Sequence, residues 1–112
     1  MITAQEKSDQ HMIRPNEVLI SKENAEKRLK AIAKWALQEN LLVREYIFKD
    51  FYQAMGFVED VADISEEENH HPEILISYNK VKLTLTTHSA GGLTTKDFAL
   101  AYKIDQLFYR NT

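Results

Sequence analysis

Cysteine is absent from the 112 residues of the sequence. Its absence excludes disulfide bonds, thiolate metal ligands and cysteine nucleophiles together. Long apolar runs are also absent: none approaches the ~20 residues that cross a bilayer. The amino-terminal stretch MITAQEKSDQHMIRPN has no apolar core of the kind that signal peptides carry. We therefore expect a cytoplasmic protein that has no membrane partner.

Positive charge is not in excess. The sequence has 14 Lys and Arg against 17 Asp and Glu, and its formal net charge is −3 at pH 7. The basic residues are scattered, so no electrostatic stripe is available to neutralise a run of phosphates. We expect no direct binding to nucleic acid. Apolar residues make up 44% and charged residues 28%, which is the usual mixture for a soluble globular domain.

Periodicity is lacking at the amino terminus. Residues 1–16 are polar and contain Pro15, and we predict that they form a flexible extension in which His11 is exposed to solvent. The remaining residues, 17–112, have the length and patterning of a single domain.

The first half of this domain alternates between helix and strand patterns. Ser21 is a plausible N-cap, and a first helix follows from apolar residues at helical spacing, namely Ala25, Leu29, Ile32, Ala33 and Ala36. Alternating residues then predict two short strands joined near Glu39-Asn40. A second helix begins near Asp50, where apolar residues recur at three- and four-residue steps, and it runs to about Glu68.

The second half adds a second pair of strands and a third helix. The runs ILISY and VKLTLTTH alternate with period two around Asn79-Lys80 and predict a hairpin. Gly91-Gly92 breaks the chain, and the segment from Thr94 to Asp97 resembles a capping box that opens a third helix. The order α-β-β-α-β-β-α predicts an α+β fold: a four-stranded, mostly antiparallel sheet with three helices packed on one face.

The predicted hairpin register places two histidines together. A two-residue turn at Asn79-Lys80 sets Tyr78 opposite Val81 and, by continuation, His71 opposite His88. Such cross-strand neighbours have Cβ atoms ~5 Å apart. In this register Tyr78 lies on the apolar face of the hairpin, where packing is its expected role.

Paired histidines suit acid–base chemistry. Imidazole titrates near pH ~6.5, so a neutral base and a protonated acid coexist near neutral pH. Surface or purely structural histidines are the alternative interpretation. A zinc site with oxygen ligands from Glu66 or Asp97 is a further alternative, but His70 and His71 point to opposite sides of an extended strand and fit it poorly.

The histidines belong to a longer pattern that resembles the signature of the pterin-4a-carbinolamine dehydratases. The pattern is, in order, Glu66, three residues, His70-His71-Pro72, five residues, Tyr78, nine residues, His88, eight residues and Asp97. Other short segments also resemble the sequences of this family, such as Phe48-Lys49-Asp50-Phe51 and Thr87-His88. The resemblance covers about residues 21–107.

The resemblance implies dehydration of 4a-hydroxytetrahydropterin to quinonoid dihydropterin in tetrahydrobiopterin recycling. It implies that His70, His71 and His88 are catalytic and that Glu66 and Asp97 bind substrate. Neither a metal nor a bound cofactor is implied, since the pterin is the substrate. The resemblance also implies a homodimer or homotetramer with a functional link to an aromatic amino-acid hydroxylase.

Several alternatives stay open beside this interpretation. Asp97 also fits the carboxylate position of a capping box. Glu66 begins an acidic run, and a solvent-exposed charged surface is the alternative interpretation of that run. The family resemblance also extends to dimerisation cofactors of a transcription factor. A dehydratase-like protein that acts on a related pterin, as in molybdenum-cofactor metabolism, is another alternative.

Overall fold

A computed structural model describes residues 18–110, so the predicted extension over residues 1–16, with His11, lies outside the described residues. The elements run in the order α1 (Lys22–Leu29), β1 (Ala36–Gln38), β2 (Leu41–Ile47), α2 (Phe51–Glu68), β3 (Glu73–Ser77), β4 (Lys80–Leu85) and α3 (Thr95–Arg110). Short 3₁₀ segments occupy Lys30–Ile32 and His88–Ala90. The predicted α+β fold and its order α-β-β-α-β-β-α are confirmed. None of the helices within these residues is both long and apolar enough to cross a membrane.

Local side chains explain where the first two helices begin. The Ser21 hydroxyl accepts a hydrogen bond from the Asn24 N–H at 3.2 Å, and the Asp50 carboxylate accepts one from the Gln53 N–H at 2.9 Å. These contacts satisfy backbone donors that have no partner within a helix. Both caps lie where the sequence predicts a helix start.

The first helix is shorter than its periodicity predicts. It ends at Leu29, continues as a 3₁₀ segment to Ile32, and the predicted helical residue Ala36 instead begins β1. Trp35 is the reason for the change, because its side chain is only 2% exposed and its indole N–H donates to Asp105 at 2.9 Å. A tertiary contact therefore overrides the helical propensity of the segment.

All strand pairs in the sheet are antiparallel, and the strand order is β1-β2-β4-β3. The face covered by the helices carries the buried side chains Leu42, Tyr46, Val81, Leu83 and Leu85. They alternate with more exposed residues, as expected for a sheet that has one covered face.

The predicted hairpin register is wrong by two residues. Ile76 rather than Tyr78 pairs with Val81, and the turn consists of Tyr78 and Asn79. The Asn79 side-chain amide donates to the Phe48 carbonyl at 2.9 Å, and the Phe48 N–H donates to the Asn79 carbonyl at 2.8 Å. This long-range contact holds the turn. Within the turn, Tyr78 has a φ of 52° and is 66% exposed. Its predicted place on the core face is therefore also wrong.

The same shift removes the cross-strand histidine pair. β3 begins at Glu73, after His71, and β4 ends at Leu85, before His88. His88 instead opens a 3₁₀ segment. The prediction that His71 and His88 lie directly opposite each other in the hairpin is therefore wrong, and other contacts must organise the histidines.

A buried polar cluster ties α3 to the sheet. One carboxylate oxygen of Asp105 accepts hydrogen bonds from the Trp35 indole at 2.9 Å, the Arg44 guanidinium at 2.7 Å and the Tyr46 hydroxyl at 2.5 Å. Burial, and then the hydrogen bond to Asp105, raises the pKa of Tyr46 well above its ordinary value of 10.0. Charged groups are rarely buried unless they are paired, and this cluster meets that condition.

We expect Asp105→Ala to lower the free energy of unfolding by about 3–5 kcal/mol, because it leaves the buried Arg44 charge unpaired. Urea denaturation followed by circular dichroism measures the change. Lys103→Ala is the control, since the Lys103–Glu68 ion pair is 2.6 Å long but substantially exposed. Its loss should cost about 1 kcal/mol or less. Equal stability of the two variants would contradict a central role for Asp105.

The turn after α2 generates a second prediction. Asn69 ends this helix in the left-handed conformation, with φ 55° and ψ 41°, and the chain then leads directly into His70. Asn69→Val should lower the free energy of unfolding by about 1–2 kcal/mol, because a β-branched residue is strained there. Asn69→Gly, which adopts positive φ readily, should stay near wild type in the same urea titration. A tolerated valine would show that the turn is not constrained.

Candidate active site

The first part of the candidate site is a buried pair between His70 and Asp97. His70 Nε2 lies 2.6 Å from Asp97 Oδ1, and the two side chains are 3% and 0% exposed. His70 follows the end of α2, and its N–H donates to the Ser65 carbonyl at 3.1 Å. Asp97 lies in the first turn of α3. The contact therefore joins two segments that are distant in the sequence.

The second carboxylate oxygen of Asp97 is also engaged. Asp97 Oδ2 accepts hydrogen bonds from the Thr87 hydroxyl at 2.7 Å and from the Thr94 N–H at 2.9 Å. The contact with Thr94 is one half of the predicted capping box. Asp97 thus caps α3 and holds His70 at the same time, so the two interpretations of this residue are compatible.

A second histidine–carboxylate pair lies nearer the surface. His71 Nε2 is 2.5 Å from Glu66 Oε2, with side chains 31% and 78% exposed. Glu66 belongs to the last turn of α2, and the left-handed turn at Asn69 brings the chain back toward it. Glu66 therefore does more than extend an acidic run, because it orients His71.

His88 directly follows Thr87, the threonine whose hydroxyl donates to Asp97. It is exposed at the start of the 3₁₀ segment. His70 and His71 thus each contact a carboxylate, and His88 follows a residue that does so. Sequence reasoning missed the buried hydroxyls of Thr87 and Thr94, although Thr87 stands immediately before His88.

Tyr78 does not join this cluster. It lies in the turn at the far end of β3 from His71, and five strand residues separate the two ends by roughly 15 Å. Its place in the sequence pattern therefore does not correspond to a place beside the histidines.

The cavities differ in how they relate to these residues. A concave region of about 750 Å³ lies between α1, β1 and Leu93, but no candidate residue lines it. A smaller depression of about 180 Å³ is lined by Glu68, His70, Thr95, Lys96 and Ala99. We place the candidate site at the histidines rather than in the larger cavity, because acid–base chemistry requires titratable groups within hydrogen-bond reach of the substrate.

The geometry is suited to proton transfer. A neutral imidazole that donates its Nε2–H to a carboxylate keeps a lone pair on Nδ1 that accepts a proton. His70 and His71 both have a carboxylate at Nε2. Across residues 18–110, no group of three or more His, Asp or Glu side chains is arranged to hold a metal ion.

Comparisons with known sequences point to one family. The family model described as "Pterin 4 alpha carbinolamine dehydratase" matches residues 18–107. A relative from Thermomicrobium roseum, named for pterin-4-alpha-carbinolamine dehydratase, is 53% identical over 79 residues, which are 70% of this chain and 85% of the relative. A relative of the same name from Nostoc punctiforme is 46% identical over 89 residues, 80% of this chain and 96% of the relative.

Solved structures agree with the sequence comparisons. A crystal structure described as a transcriptional coactivator/pterin dehydratase from Brucella melitensis has a TM-score of 0.75 and 33% identity, and the match covers 79% of this chain and 96% of that one. A pterin dehydratase-like protein described as a RuBisCO assembly factor in the alpha-carboxysome has a TM-score of 0.54 and 26% identity over 65% of this chain and 84% of that one. Since the family model matches residues 18–107, which are most of the sequence, this chain belongs to the pterin 4 alpha carbinolamine dehydratase family.

Proposed function

We propose that the protein dehydrates 4a-hydroxytetrahydropterin, the 4a-carbinolamine, to quinonoid dihydropterin and water. The observation that carries this proposal is the arrangement of two histidine–carboxylate pairs, His70–Asp97 and His71–Glu66, beside the segment that begins at His88. Family membership supplies the substrate class, and the paired imidazoles supply the acid–base groups.

The reaction requires one proton to leave and another to arrive. A base removes the proton from the ring nitrogen beside the carbinolamine carbon, and the electron pair forms the new carbon–nitrogen double bond. The carbon–oxygen bond breaks, and an acid protonates the departing hydroxyl so that it leaves as water. Imidazole performs either step near neutral pH, where both of its protonation states are populated.

Differences in burial suggest different roles for the three catalytic histidines. His71 is partly exposed and His88 is exposed, so both are accessible to a substrate. His70 is almost fully buried, and Asp97 fixes the orientation of its ring. The complete burial of Asp97 favours a role through His70 over direct contact with the pterin. Glu66 is well exposed, which is compatible with holding His71 and with contacting the substrate.

The proposal extends to the setting of the reaction. We infer a cytoplasmic enzyme of tetrahydrobiopterin recycling that needs no cofactor besides its pterin substrate and serves an aromatic amino-acid hydroxylase. A homodimer or homotetramer is the inferred assembly. Unpaired backbone groups on β3, at the edge of the sheet, are compatible with such an assembly.

A regulatory role is the second candidate, and the similar structures motivate it. One of them is described as a transcriptional coactivator/pterin dehydratase and another as a RuBisCO assembly factor. A dimerisation cofactor would act through its surface and would not need the histidine–carboxylate pairs. These pairs favour catalysis, either on the 4a-carbinolamine or on a related pterin such as one in molybdenum-cofactor metabolism.

Removing the accessible histidines tests the proposed chemistry. His71→Ala and His88→Ala should each lower turnover of the 4a-carbinolamine by roughly 10²- to 10⁴-fold, the usual contribution of a positioned acid or base. The double variant should lose less than the product of the two single effects, because the groups act in one proton-transfer unit. Stopped-flow absorbance of carbinolamine decay measures the rates, and circular dichroism checks folding.

Tyr78→Phe is the matched control for these variants. It alters another residue of the sequence pattern, but this one is exposed and lies away from the histidines. Its turnover should equal that of the wild type. Folded histidine variants with wild-type rates would show that catalysis is assigned to the wrong residues. His70→Ala is less informative, because it also removes the partner of a buried carboxylate and is expected to lower stability.

Chelation tests whether the histidines transfer protons or bind metal. We expect turnover to survive exhaustive dialysis against a strong chelator, because within residues 18–110 no group of three or more His, Asp or Glu side chains is arranged to hold a metal ion. The rate before and after dialysis, with metal content measured by mass spectrometry, decides the matter. A loss of turnover that only zinc restores would contradict the proposed mechanism.

A further inference from the structure

We propose that Thr87 is a positioning residue that holds the His70–Asp97 pair and the His88 segment in one fixed arrangement. This inference rests on the proposed dehydration, in which both histidines take part. The side chain of Thr87 contacts Asp97, and its main chain holds the loop of His88.

The side chain of Thr87 contacts the buried carboxylate. Its hydroxyl is 2.7 Å from Asp97 Oδ2 and 2.9 Å from the Thr94 hydroxyl, and the residue is 2% exposed. Hydrogen bonds to a charged group are short and comparatively strong, particularly away from water. Because the opposite oxygen of Asp97 contacts His70, the Thr87 hydroxyl and the Thr94 N–H together orient that carboxylate toward the imidazole.

The main chain of Thr87 holds the loop that carries His88. Its N–H donates to the Gly92 carbonyl at 2.9 Å. Its carbonyl accepts hydrogen bonds from the N–H groups of Ala90, Gly91 and Gly92, at 3.1, 3.0 and 3.3 Å. These contacts close the short loop of residues 87–92 onto a single residue. Any movement of Thr87 relative to Asp97 therefore moves His88 relative to His70.

Loss of the hydroxyl should affect the position of both histidines. The loop would lose its hydrogen bond to Asp97, so His70 and His88 would be held less well for one substrate. Asp97 would lose one of its donors, so its carboxylate would be oriented less firmly toward His70. The depression beside His70 also contains Glu68, which pairs with Lys103, and Lys96, and these groups stay unchanged in the variants below.

The test compares Thr87→Val with Thr87→Ser in the full-length protein. Valine keeps the shape of threonine but removes the hydroxyl, whereas serine keeps the hydroxyl. Thr84→Val is the matched control, because it makes the same change on β4, at a position paired with Glu73 and Val43 and outside the site. The measurements are kcat and KM for 4a-hydroxytetrahydropterin, and circular dichroism checks folding.

Thr87→Val should lower kcat by roughly 10- to 100-fold, the scale of effect that follows from misplaced reacting groups. KM should change by less than about 3-fold, since the hydroxyl is buried and does not bind the pterin. Thr87→Ser should restore kcat to near wild type, and Thr84→Val should match wild type in every measurement.

The outcomes separate this inference from the proposed function. A wild-type protein without turnover would overturn both. An active wild type, with a folded Thr87→Val variant that keeps the wild-type kcat, would overturn the positioning role alone. If Thr87→Val does not fold, Thr87→Ala is compared with Thr87→Ser, since these two differ only in the hydroxyl. Equal kcat values for that pair would likewise overturn the inference.

Discussion

The buried contact between His70 and Asp97 is the interaction on which the candidate site depends. A carboxylate without solvent exposure is costly unless each oxygen has partners, and Asp97 meets this requirement with His70, Thr87 and the Thr94 N–H. These partners come from the segment after α2, the loop after β4 and the start of α3. One side chain therefore joins three parts of the chain, and the same contacts that satisfy its charge position the imidazole.

A second buried carboxylate on the same helix serves the core. Asp105 accepts hydrogen bonds from Trp35, Arg44 and Tyr46 and so attaches α3 to β2 and to the residue just before β1. Asp97 attaches the beginning of that helix to the histidine segments. The Asp105 cluster therefore stabilises the core, and the Asp97 cluster belongs to the candidate site. Because the helix is anchored at both places, the position of Asp97 relative to the sheet follows from core packing, which gives the site a rigid support.

Burial separates the histidines into two kinds. His70 is enclosed and oriented by a carboxylate that water does not reach, whereas His71 pairs with the exposed Glu66 and remains partly accessible. His88 stands on a short loop whose closing residue, Thr87, contacts Asp97. The arrangement therefore combines two accessible imidazoles, those of His71 and His88, with an enclosed pair whose geometry is fixed by hydrogen bonds.

The sequence by itself determined the order of the elements and the start of each helix, and it predicted His70, His71, His88, Glu66 and Asp97 as site residues. Hydrophobic periodicity and capping residues such as Ser21, Asp50 and Thr94 act locally, so they can be recognised in the sequence before the fold is known. Only the tertiary structure decided the end of the first helix, the hairpin register and the partners of the histidines. The hairpin turn is held by a contact between Asn79 and Phe48, and His70 is held by Asp97, which lies 27 positions further along the chain. Such contacts form between segments that come together only on folding, so a local sequence pattern cannot predict them.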